Sequence, residues 1–529
     1  MSLALADAAR DDAPRMRSEG AWEQSFGRHW KVDLTIMAIV VFLFGAIRPL
    51  ADPDLPMHLT LGEWIVRHRA VPFTEPFSWT AYGQPYFAYS WLPQWLYFET
   101  FSAFGHYGLR ALQGLLVLCS AAAALLLARA AGWRPSLGVM LAGFNLIVAA
   151  FFVAMLRPQS ILLITMPVLW AMFTRVARGD GSWKTVLWIF LASALTANWH
   201  LFFPVTLAPA AALWVHRRLG SRMALAAILA VVAGWMTSPY ALHWPSVFRH
   251  NFGSHALTRY PSPISEMRPG FVAMVQPPLG PMLLLVACML AVPWIVAQSR
   301  QTSRERLIAA GYWMVGAIAF GYAVRLFVIW WVLSIVTFGA ALAWAIRGTA
   351  EAPPRLPIRL LGLFACVLII SAEIVRTSEL RALEGSTSDR VLPTVGALRA
   401  ERVARWLRSN TAPDARGRIM TSFAFGSYLT WRLPGYSTSI DSRGLQPDSV
   451  TAAEAVVSAA AQDFPVGPWK SADLVILPTQ FRAAAVLDTA TGWQRVLAVR
   501  GEAVPGDSAA LWVRSEWWAR NARLRPGSR

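Results

Sequence analysis

Apolar runs about twenty residues long recur between residues 32 and 375, separated by short polar stretches. A helix needs roughly 20 mostly apolar residues to cross the hydrocarbon core of a bilayer, so the pattern predicts about eleven transmembrane helices. They are expected near residues 32–50, 109–129, 136–156, 159–176, 184–199, 201–216, 223–238, 279–297, 307–324, 326–346 and 358–375. The protein is therefore interpreted as a polytopic α-helical membrane protein.

After residue 376 the pattern changes to short β-type runs with charges and turn residues between them. An amphipathic helix is predicted over 397–410, and strands are predicted at 417–423, 436–441, 472–478 and 510–515. The pattern predicts a soluble α/β domain over 376–529. Its basic, aromatic end, residues 515–529, is interpreted as disordered or in contact with the membrane interface.

Arginine and lysine residues are concentrated in alternate loops between the predicted spans. Because such residues stay on the cytoplasmic side of a membrane, the bias gives the orientation. Residues 1–31 form a cytoplasmic segment, and they contain no apolar stretch typical of a cleaved signal peptide. The transmembrane domain then covers 32–375, and its loops 51–108 and 239–278 lie outside the cytoplasm together with 376–529.

Composition supports this assignment, since 56% of the 529 residues are hydrophobic and 15% are charged. Much of the net charge of +18 falls in the predicted cytoplasmic loops, so no nucleic-acid partner is expected. Cys119, Cys288 and Cys366 fall singly in predicted spans, a distribution that indicates neither a disulfide framework nor a zinc site.

The first outer loop begins with Asp52, Asp54 and His58. If a helix begins after Pro56, Asp54 and His58 share one face, an arrangement suited to metal ligation or proton transfer. An ordinary polar loop leaving a helix would have the same spacing. The apolar period of 59–68 predicts a helix lying in the membrane interface. The aromatic residues that follow are also typical of the interface, namely Trp79, Tyr82, Tyr86, Tyr89, Trp91, Trp95 and Tyr97.

Together, seventeen positions of this loop match one ordered pattern, which runs from an Asp-Pro-Asp triplet to a Trp-Leu pair. The matching residues are Asp52, Pro53, Asp54, His58, Gly62, Trp64, Ile65, His68, Pro72, Pro76, Phe77, Ser78, Thr80, Gly83, Pro85, Trp91 and Leu92. The loop resembles the first extracytoplasmic loop of GT-C-fold glycosyltransferases, which include protein mannosyltransferases and lipid A aminoarabinose transferases. It resembles a poorly characterised bacterial branch more closely.

Further matches to this branch follow in order at 156–160, 198–200, 238–244, 264–267, Arg325 and 426–444. Two departures fall near candidate site residues. Pro56 and Met57 stand where aromatic residues are usual before the histidine, and the sequence after His200 is bulkier than usual. Both departures indicate an altered acceptor site or a diverged member.

The resemblance implies an enzyme of the bacterial inner membrane that takes a sugar from a polyprenyl phosphate or diphosphate. It passes the sugar to a glycan, lipid or protein acceptor on the outer face. Asp54 is the first candidate for the base that deprotonates the acceptor, and Asp52 is the second. A divalent cation, Mg²⁺ or Mn²⁺, is left open, with Asp54, His58 and Glu266 as its candidate ligands.

Arg157 and Arg325 are candidates for binding the lipid phosphate, because each lies at the outer end of a predicted span. Alternatively, each side chain extends to the interface without a functional role. Asn198 and His200 are candidates for binding acceptor or phosphate, with a helix-capping pair as the alternative.

Glu266, in the second outer loop, either completes an acidic centre with Asp54 or pairs with Arg268. In the terminal domain, Asp441 and Arg443 are predicted to form a structural turn or ion pair, with an acceptor-facing role as the alternative.

Two other classes of function remain alternatives. A transporter or lipid flippase would also need many spans and buried arginines, but the sequence lacks the internal repeat usual in transporters. A catalytically silent scaffold would tolerate replacement of Asp52 and Asp54. A nucleotide-sugar donor is not expected, because no glycine-rich phosphate loop is found.

Overall fold

The computed structural model describes residues 30–48, 50, 52–133, 135–152, 156–252, 286, 289–290, 292–293, 303–347, 397–441, 443, 471–500 and 508–523. Glu266 lies outside the described residues, as do the predicted span at 358–375 and most of the span at 279–297. The segment 376–396 and the end of the chain after residue 523 are outside them as well.

Most helices of the first two-thirds of the chain coincide with the predicted apolar runs, whereas the helical stretches at 55–68, 91–108 and 244–252 lie outside them. The helices are α1 (Trp30–Ile47), α2 (Leu55–His68), α3 (Trp91–Ala130), α4 (Pro135–Phe152), α5 (Leu162–Arg178), α6 (Trp183–Trp199), α7 (Ala211–Val215), α8 (Arg222–Trp235), α9 (Trp244–Phe252), α10 (Ser303–Tyr322) and α11 (Phe327–Arg347). In the described part of the chain, two helical segments, Trp91–Ala130 and Pro158–Arg178, are long and apolar enough to cross a membrane. The number of eleven spans stays a prediction.

The predicted sixth span is helical but not uniform. Residues Phe203–Ala210 form a 3-10 helix, and α7 continues it for only one turn. Pro209 lies inside the 3-10 segment. Proline cannot donate a backbone hydrogen bond, so it disfavours a regular α-helix here.

Contacts divide the chain into two compact units, each discontinuous in sequence. Unit 1 comprises 1–49, 107–243 and 260–383, and unit 2 comprises 50–106, 244–259 and 384–529. The first outer loop therefore clusters with the terminal segment, whereas the sequence grouped it with the transmembrane helices. The domain boundaries themselves stay a prediction.

In unit 1, a buried asparagine joins four helices. The Asn145 side chain of α4 donates hydrogen bonds to the carbonyl of Ser120 in α3, at 2.8 Å, and to that of Leu163 in α5, at 3.2 Å. Its Oδ1 accepts a hydrogen bond from the indole of Trp331 in α11, at 2.8 Å. Because each polar atom is satisfied, Asn145 fixes the neighbours of α4 without leaving a buried group unpaired.

Unit 2 contains a five-stranded mixed sheet. Its strands are β1 (Gly417–Thr421), β2 (Tyr436–Thr438), β3 (Leu474–Pro478), β4 (Trp493–Arg500) and β5 (Ser508–Arg514), and its helices are α12 (Ala397–Asn410), α13 (Phe423–Arg432), α14 (Arg482–Thr489) and α15 (Ser515–Asn521). The strand order is β2-β1-β3-β5-β4. β1 is parallel to β2 and β3, and β5 is antiparallel to β3 and β4.

The four predicted strands and the predicted helix α12 are confirmed. β4 was not predicted, because this edge strand has polar residues between its apolar ones and few of its side chains are buried. The described part of the end of the chain is also more ordered than expected. Residues 515–521 form α15, and Trp517 is buried there and donates a hydrogen bond to the carbonyl of Arg416 at 2.8 Å.

Helix α2 packs tightly against the start of α3 in unit 2. A β-carbon added at Gly62 would lie 2.1 Å from the backbone oxygen of Gln94. This close approach therefore requires glycine. On its buried face, Met57 and Leu61 form a small core with Tyr86, Ala88 and the half-buried Phe77.

Several aromatic residues expected at the membrane interface lie in the protein core instead. Tyr86 is 4% exposed and Tyr97 is fully buried, while Trp79 packs against the core of the sheet domain. The interface prediction is wrong for these three. Tyr82 and Trp95 are exposed, as an interfacial role requires.

Candidate functional site

Asp52 organises the beginning of α2. Its carboxylate accepts a hydrogen bond from the backbone N–H of Asp54 at 2.8 Å, and its own carbonyl accepts one from Leu55 at 3.2 Å. The side chain is 1% exposed. This local turn is one that aspartate favours, since its carboxylate can bond to the backbone two residues on. One carboxylate oxygen of Asp52 is thus engaged in holding the chain.

Asp54 is the residue at the N-cap of α2, directly after this turn. Its backbone carbonyl accepts the hydrogen bond from His58 at 3.0 Å that closes the first helical turn. The side chain makes no capping hydrogen bond to α2. The positive end of the helix dipole nevertheless favours a carboxylate at this position. The predicted helix is confirmed, and it begins at Leu55.

His58 lies one turn further along α2 and is half-buried. Its Nδ1 is 3.4 Å from the side-chain nitrogen of Gln94, and its ring meets that of Tyr97 edge-on at 6.2 Å. The four-residue spacing puts His58 on the same face as Asp54. Gln94 is 4% exposed, and its side-chain oxygen has no hydrogen-bond partner in the described part of the chain. Sequence analysis missed Gln94, which no local spacing links to His58.

No group of three or more His, Cys, Asp and Glu side chains that could hold a metal ion is found within the described ranges. Asp54 and His58 supply two donors, which are too few to form a metal site by themselves. Glu266, the third candidate ligand, is outside the described residues.

Arg157 follows a strained residue in unit 1. Leu156 is fully buried and has a φ of 52°, a left-handed conformation that costs a non-glycine residue about 1 kcal/mol. Arg157 itself is extended and 9% exposed, and it precedes a 3-10 turn, Pro158–Ile161, that packs against α5 and α6. Backbone strain of this kind is often retained at functional sites, so Arg157 stays a candidate for binding the lipid phosphate.

Asn198 and His200 lie at the carboxyl end of α6. The Asn198 amide donates to the carbonyl of Ala194 at 2.9 Å and to the hydroxyl of Thr237 at 2.8 Å. The Nδ1 of His200 accepts a hydrogen bond from the backbone N–H of Phe202 at 3.2 Å. Nδ1 thus acts as an acceptor, which assigns the proton of a neutral ring to Nε2. These hydrogen bonds are the ones expected if Asn198 and His200 are a helix-capping pair, the alternative to a binding role.

Arg325 is half-buried in a 3-10 turn, Val324–Leu326, between α10 and α11. It therefore lies at the end of a helix, as predicted. The structure brings Asp52, Asp54 and His58 together at one helix start in unit 2. The other described candidates, Arg157, Asn198, His200 and Arg325, all lie at helix ends in unit 1.

A buried ion-pair cluster in unit 2 joins the first outer loop to the sheet domain. Arg443 binds Asp441 through Nε, at 2.9 Å, and through Nη2, at 2.5 Å. It binds Glu75 through Nη1, at 2.5 Å, and through Nη2, at 2.8 Å. The predicted ion pair of Asp441 and Arg443 is confirmed. Glu75 was missed, because 368 residues separate it from Arg443 and no local pattern joins them.

Two aromatic rings flank the guanidinium group of Arg443. The rings of Phe77 and Tyr86 have their centroids 5.5 Å and 4.9 Å from it. Burial disfavours the charge, but the attraction of Asp441 and Glu75 outweighs burial and holds the pKa of Arg443 well above its ordinary value. Arg443 is therefore a fixed cation, enclosed by two carboxylates and two rings.

Comparison with solved structures relates most of the chain to proteins of known structure. No protein-family model matches the chain, and no curated protein sequence matches it either. The arabinofuranosyltransferase AftD from Mycobacteria is similar in structure, with 14% identity and a TM-score of 0.53 over 92% of this chain. The match covers 40% of AftD, so this chain spans about two-fifths of its length.

Two further structures match over most of both chains. The archaeal oligosaccharyltransferase AglB from Archaeoglobus fulgidus was solved with an inhibitory peptide and a dolichol-phosphate. It is 11% identical with a TM-score of 0.53, over 95% of this chain and 76% of AglB. ArnT from Cupriavidus metallidurans, solved bound to undecaprenyl phosphate, is 13% identical with a TM-score of 0.51, over 93% of this chain and 99% of ArnT. At such identities the likeness shows the fold alone, and the fold of this chain is the one that these three transferases share.

Proposed function

We propose that this protein is a membrane glycosyltransferase that moves a sugar from a polyprenyl-phosphate-type donor to an extracytoplasmic acceptor. The GT-C fold supports the proposal, as do the polyprenyl phosphates bound to AglB and ArnT. The observation that carries it is the position of Asp54. Its half-buried carboxylate is at the start of a helix that does not use it as a cap, next to a turn organised by Asp52.

In the proposed reaction, Asp54 accepts the proton of an acceptor hydroxyl while the hydroxyl oxygen attacks the anomeric carbon of the sugar. The new glycosidic bond forms as the bond from that carbon to the phosphate oxygen breaks. The lipid phosphate leaves with the bonding electron pair. Asp52 keeps the backbone of Asp54 in place, and His58 contributes to binding the acceptor on the same face of α2.

Arg157 and Arg325 are proposed to bind the departing phosphate, since guanidinium groups form strong, paired hydrogen bonds with phosphate oxygens. The strained residue before Arg157 supports this role. Asn198 and His200 would then shape the end of α6 near the 3-10 turn that follows Arg157. Glu266 remains a second candidate carboxylate.

The enzyme is proposed to lie in the bacterial inner membrane with about eleven spans. Its amino terminus would be cytoplasmic, and its sheet domain and first loop extracytoplasmic. Its partners would be membrane lipids, the lipid-linked donor and a glycan, lipid or protein acceptor.

Replacement of Asp54 by asparagine tests the proposal most directly. The Asp54→Asn substitution keeps the shape of the side chain but removes the base, so transfer should fall by about 10²- to 10⁴-fold. The measurement is transfer of radiolabelled sugar from several polyprenyl-phosphate donors, in membranes with equal amounts of each variant. Glu63→Gln is the matched control, because Glu63 lies on the same helix and pairs with the exposed Arg67 at 2.5 Å.

Full transfer by the Asp54→Asn variant would remove Asp54 as the base and make Glu266 the next candidate. Absence of transfer by the unmodified protein from every donor tested would instead favour a transporter or a silent scaffold.

A divalent cation, Mg²⁺ or Mn²⁺, remains part of the proposal, with Asp54, His58 and Glu266 as ligands. Asp54 and His58 by themselves are too few donors to hold it, so Glu266 would have to complete the site. If a cation is needed, EDTA should abolish transfer and either ion should restore it. Transfer that is insensitive to the chelator would exclude a weakly bound cation.

A further inference from the structure

The first outer loop is hydrogen-bonded to the sheet of unit 2 around the end of β2. The backbone N–H of Trp79 donates to the carbonyl of Thr438 in β2 at 3.2 Å, and its indole donates to that of Ile419 in β1 at 3.2 Å. The hydroxyls of Ser78 and Thr80 both donate to the carbonyl of Ser439, at 3.2 Å and 2.5 Å. The loop is therefore attached to the sheet at the carboxyl end of β2.

At this junction, both carboxylates of the buried ion-pair cluster bind Arg443 through both of their oxygens. The side chains of Arg443, Glu75 and Asp441 are 8%, 5% and 0% exposed. Glu75 also accepts hydrogen bonds from the backbone N–H groups of Phe77 and Ser78, at 2.8 Å and 2.9 Å. Loss of Arg443 would leave two buried carboxylates facing each other without a cation, so the cluster depends on it.

Contacts continue from Arg443 to the helix that begins after Asp54. Phe77 and Tyr86, the rings that flank the guanidinium group, pack against Met57 and Leu61 of α2. Helix α13 of the sheet domain also packs against α2. The start of α2 is thus supported by both the loop and the sheet domain.

We propose that Arg443 is a positioning residue, through which the sheet domain holds the first outer loop and the start of α2 in the conformation that transfer requires. Its effect on transfer rests on the glycosyltransferase function proposed above. The attachment of the loop to the sheet by Arg443, here called the lock, does not rest on that function and has a test of its own.

Accessibility of a thiol at the junction measures the lock directly. Ser78 is fully buried and bonds to Ser439, so a Ser78→Cys thiol should be protected from a maleimide in the full-length protein. The native residues Cys119, Cys288 and Cys366 are first replaced by alanine. Adding Arg443→Gln should then speed labelling at least tenfold, whereas Arg443→Lys, which keeps a charge but not the paired geometry, should have an intermediate effect.

Glu401→Gln is the matched control. It removes another buried carboxylate of the same domain, one that binds Arg432 of that domain at 2.7 Å and 2.9 Å. This variant should destabilise the domain while leaving the Ser78→Cys thiol protected. Equal labelling rates in the Arg443→Gln and unmodified backgrounds would overturn the proposal.

Transfer kinetics test the positioning role. Arg443→Gln should lower kcat at least tenfold with a smaller change in the KM for the donor, and Arg443→Lys should restore part of it. Faster labelling with unchanged kcat would overturn the positioning role and leave a purely structural lock. If Asp54→Asn proves fully active, the proposed base fails, yet the labelling result still decides whether Arg443 locks the loop.

Discussion

Asp52 and Asp54 are separated by one residue, yet they differ in what surrounds their carboxylates. Asp52 is almost completely buried and accepts a backbone hydrogen bond, whereas Asp54 is half-buried and does not cap its helix. The first environment suits a residue that shapes the chain, and the second suits one that reacts. The order of the two residues as candidate bases stays a prediction.

Two substitutions of Asp52 should distinguish the effect of its hydrogen bond to the backbone from the effect of its negative charge. Asp52→Ala removes the acceptor of the Asp54 N–H and should cost about 1–3 kcal/mol of stability, with a loss of transfer. Asp52→Asn keeps a side-chain oxygen and should be close to the unmodified protein in both respects. Thermal unfolding and transfer assays of the two variants provide the comparison. An asparagine variant as inactive as the alanine variant would show that the charge of Asp52 is needed.

At the scale of elements, α12 and α13 are joined by a buried carboxylate. Glu401 of α12 binds Arg432 through both oxygens and accepts a hydrogen bond from the hydroxyl of Tyr428 at 3.1 Å. Burial raises the pKa of Glu401, but the hydrogen bonds and charge of Arg432 outweigh burial, so the pKa is lowered from its ordinary value. The helix pair is therefore stabilised most when Glu401 is ionised.

This pairing predicts a loss of stability in acid. A carboxyl group whose pKa is lower in the folded state stabilises the protein above its unfolded pKa, about 4.3, and loses that contribution as the pH falls through the folded value. The contribution is about 1.4 kcal/mol for each pH unit by which folding lowers the pKa. The free energy of unfolding of the detergent-solubilised protein should thus fall below about pH 4.3. In the Glu401→Gln variant it should fall less steeply with pH.

Asp488→Asn is the control for this experiment, since Asp488 forms an exposed ion pair with Arg495 at 2.8 Å. Exposed pairs contribute little, so this variant should retain the acid dependence of the unmodified protein. Identical acid dependence in Glu401→Gln would contradict the role given to Glu401.

For the whole molecule, local patterns in the sequence predicted local structure well. The apolar runs indicated most of the described helices of the first two-thirds of the chain, although not α9 or the start of α3. The spacing of Asp54 and His58 gave their common helix face. Contacts between distant segments could not be predicted this way. No sequence pattern near Glu75 predicts its ion pair with Arg443. Tyrosine, with an apolar ring and a polar hydroxyl, suits a membrane interface as well as a protein core, so the burial of Tyr86 could not be predicted.

The discontinuity of unit 2 has a consequence for how the protein is made. Glu75 leaves the ribosome 368 residues before Arg443, which at about 5–20 residues per second is a delay on the order of 20–70 s. Throughout that interval the loop has neither its cation nor the strand to which it will be attached. During that time the first outer loop must stay in the cell without the contacts that hold it in the folded protein. A chain whose synthesis stops before β2 would never form these contacts.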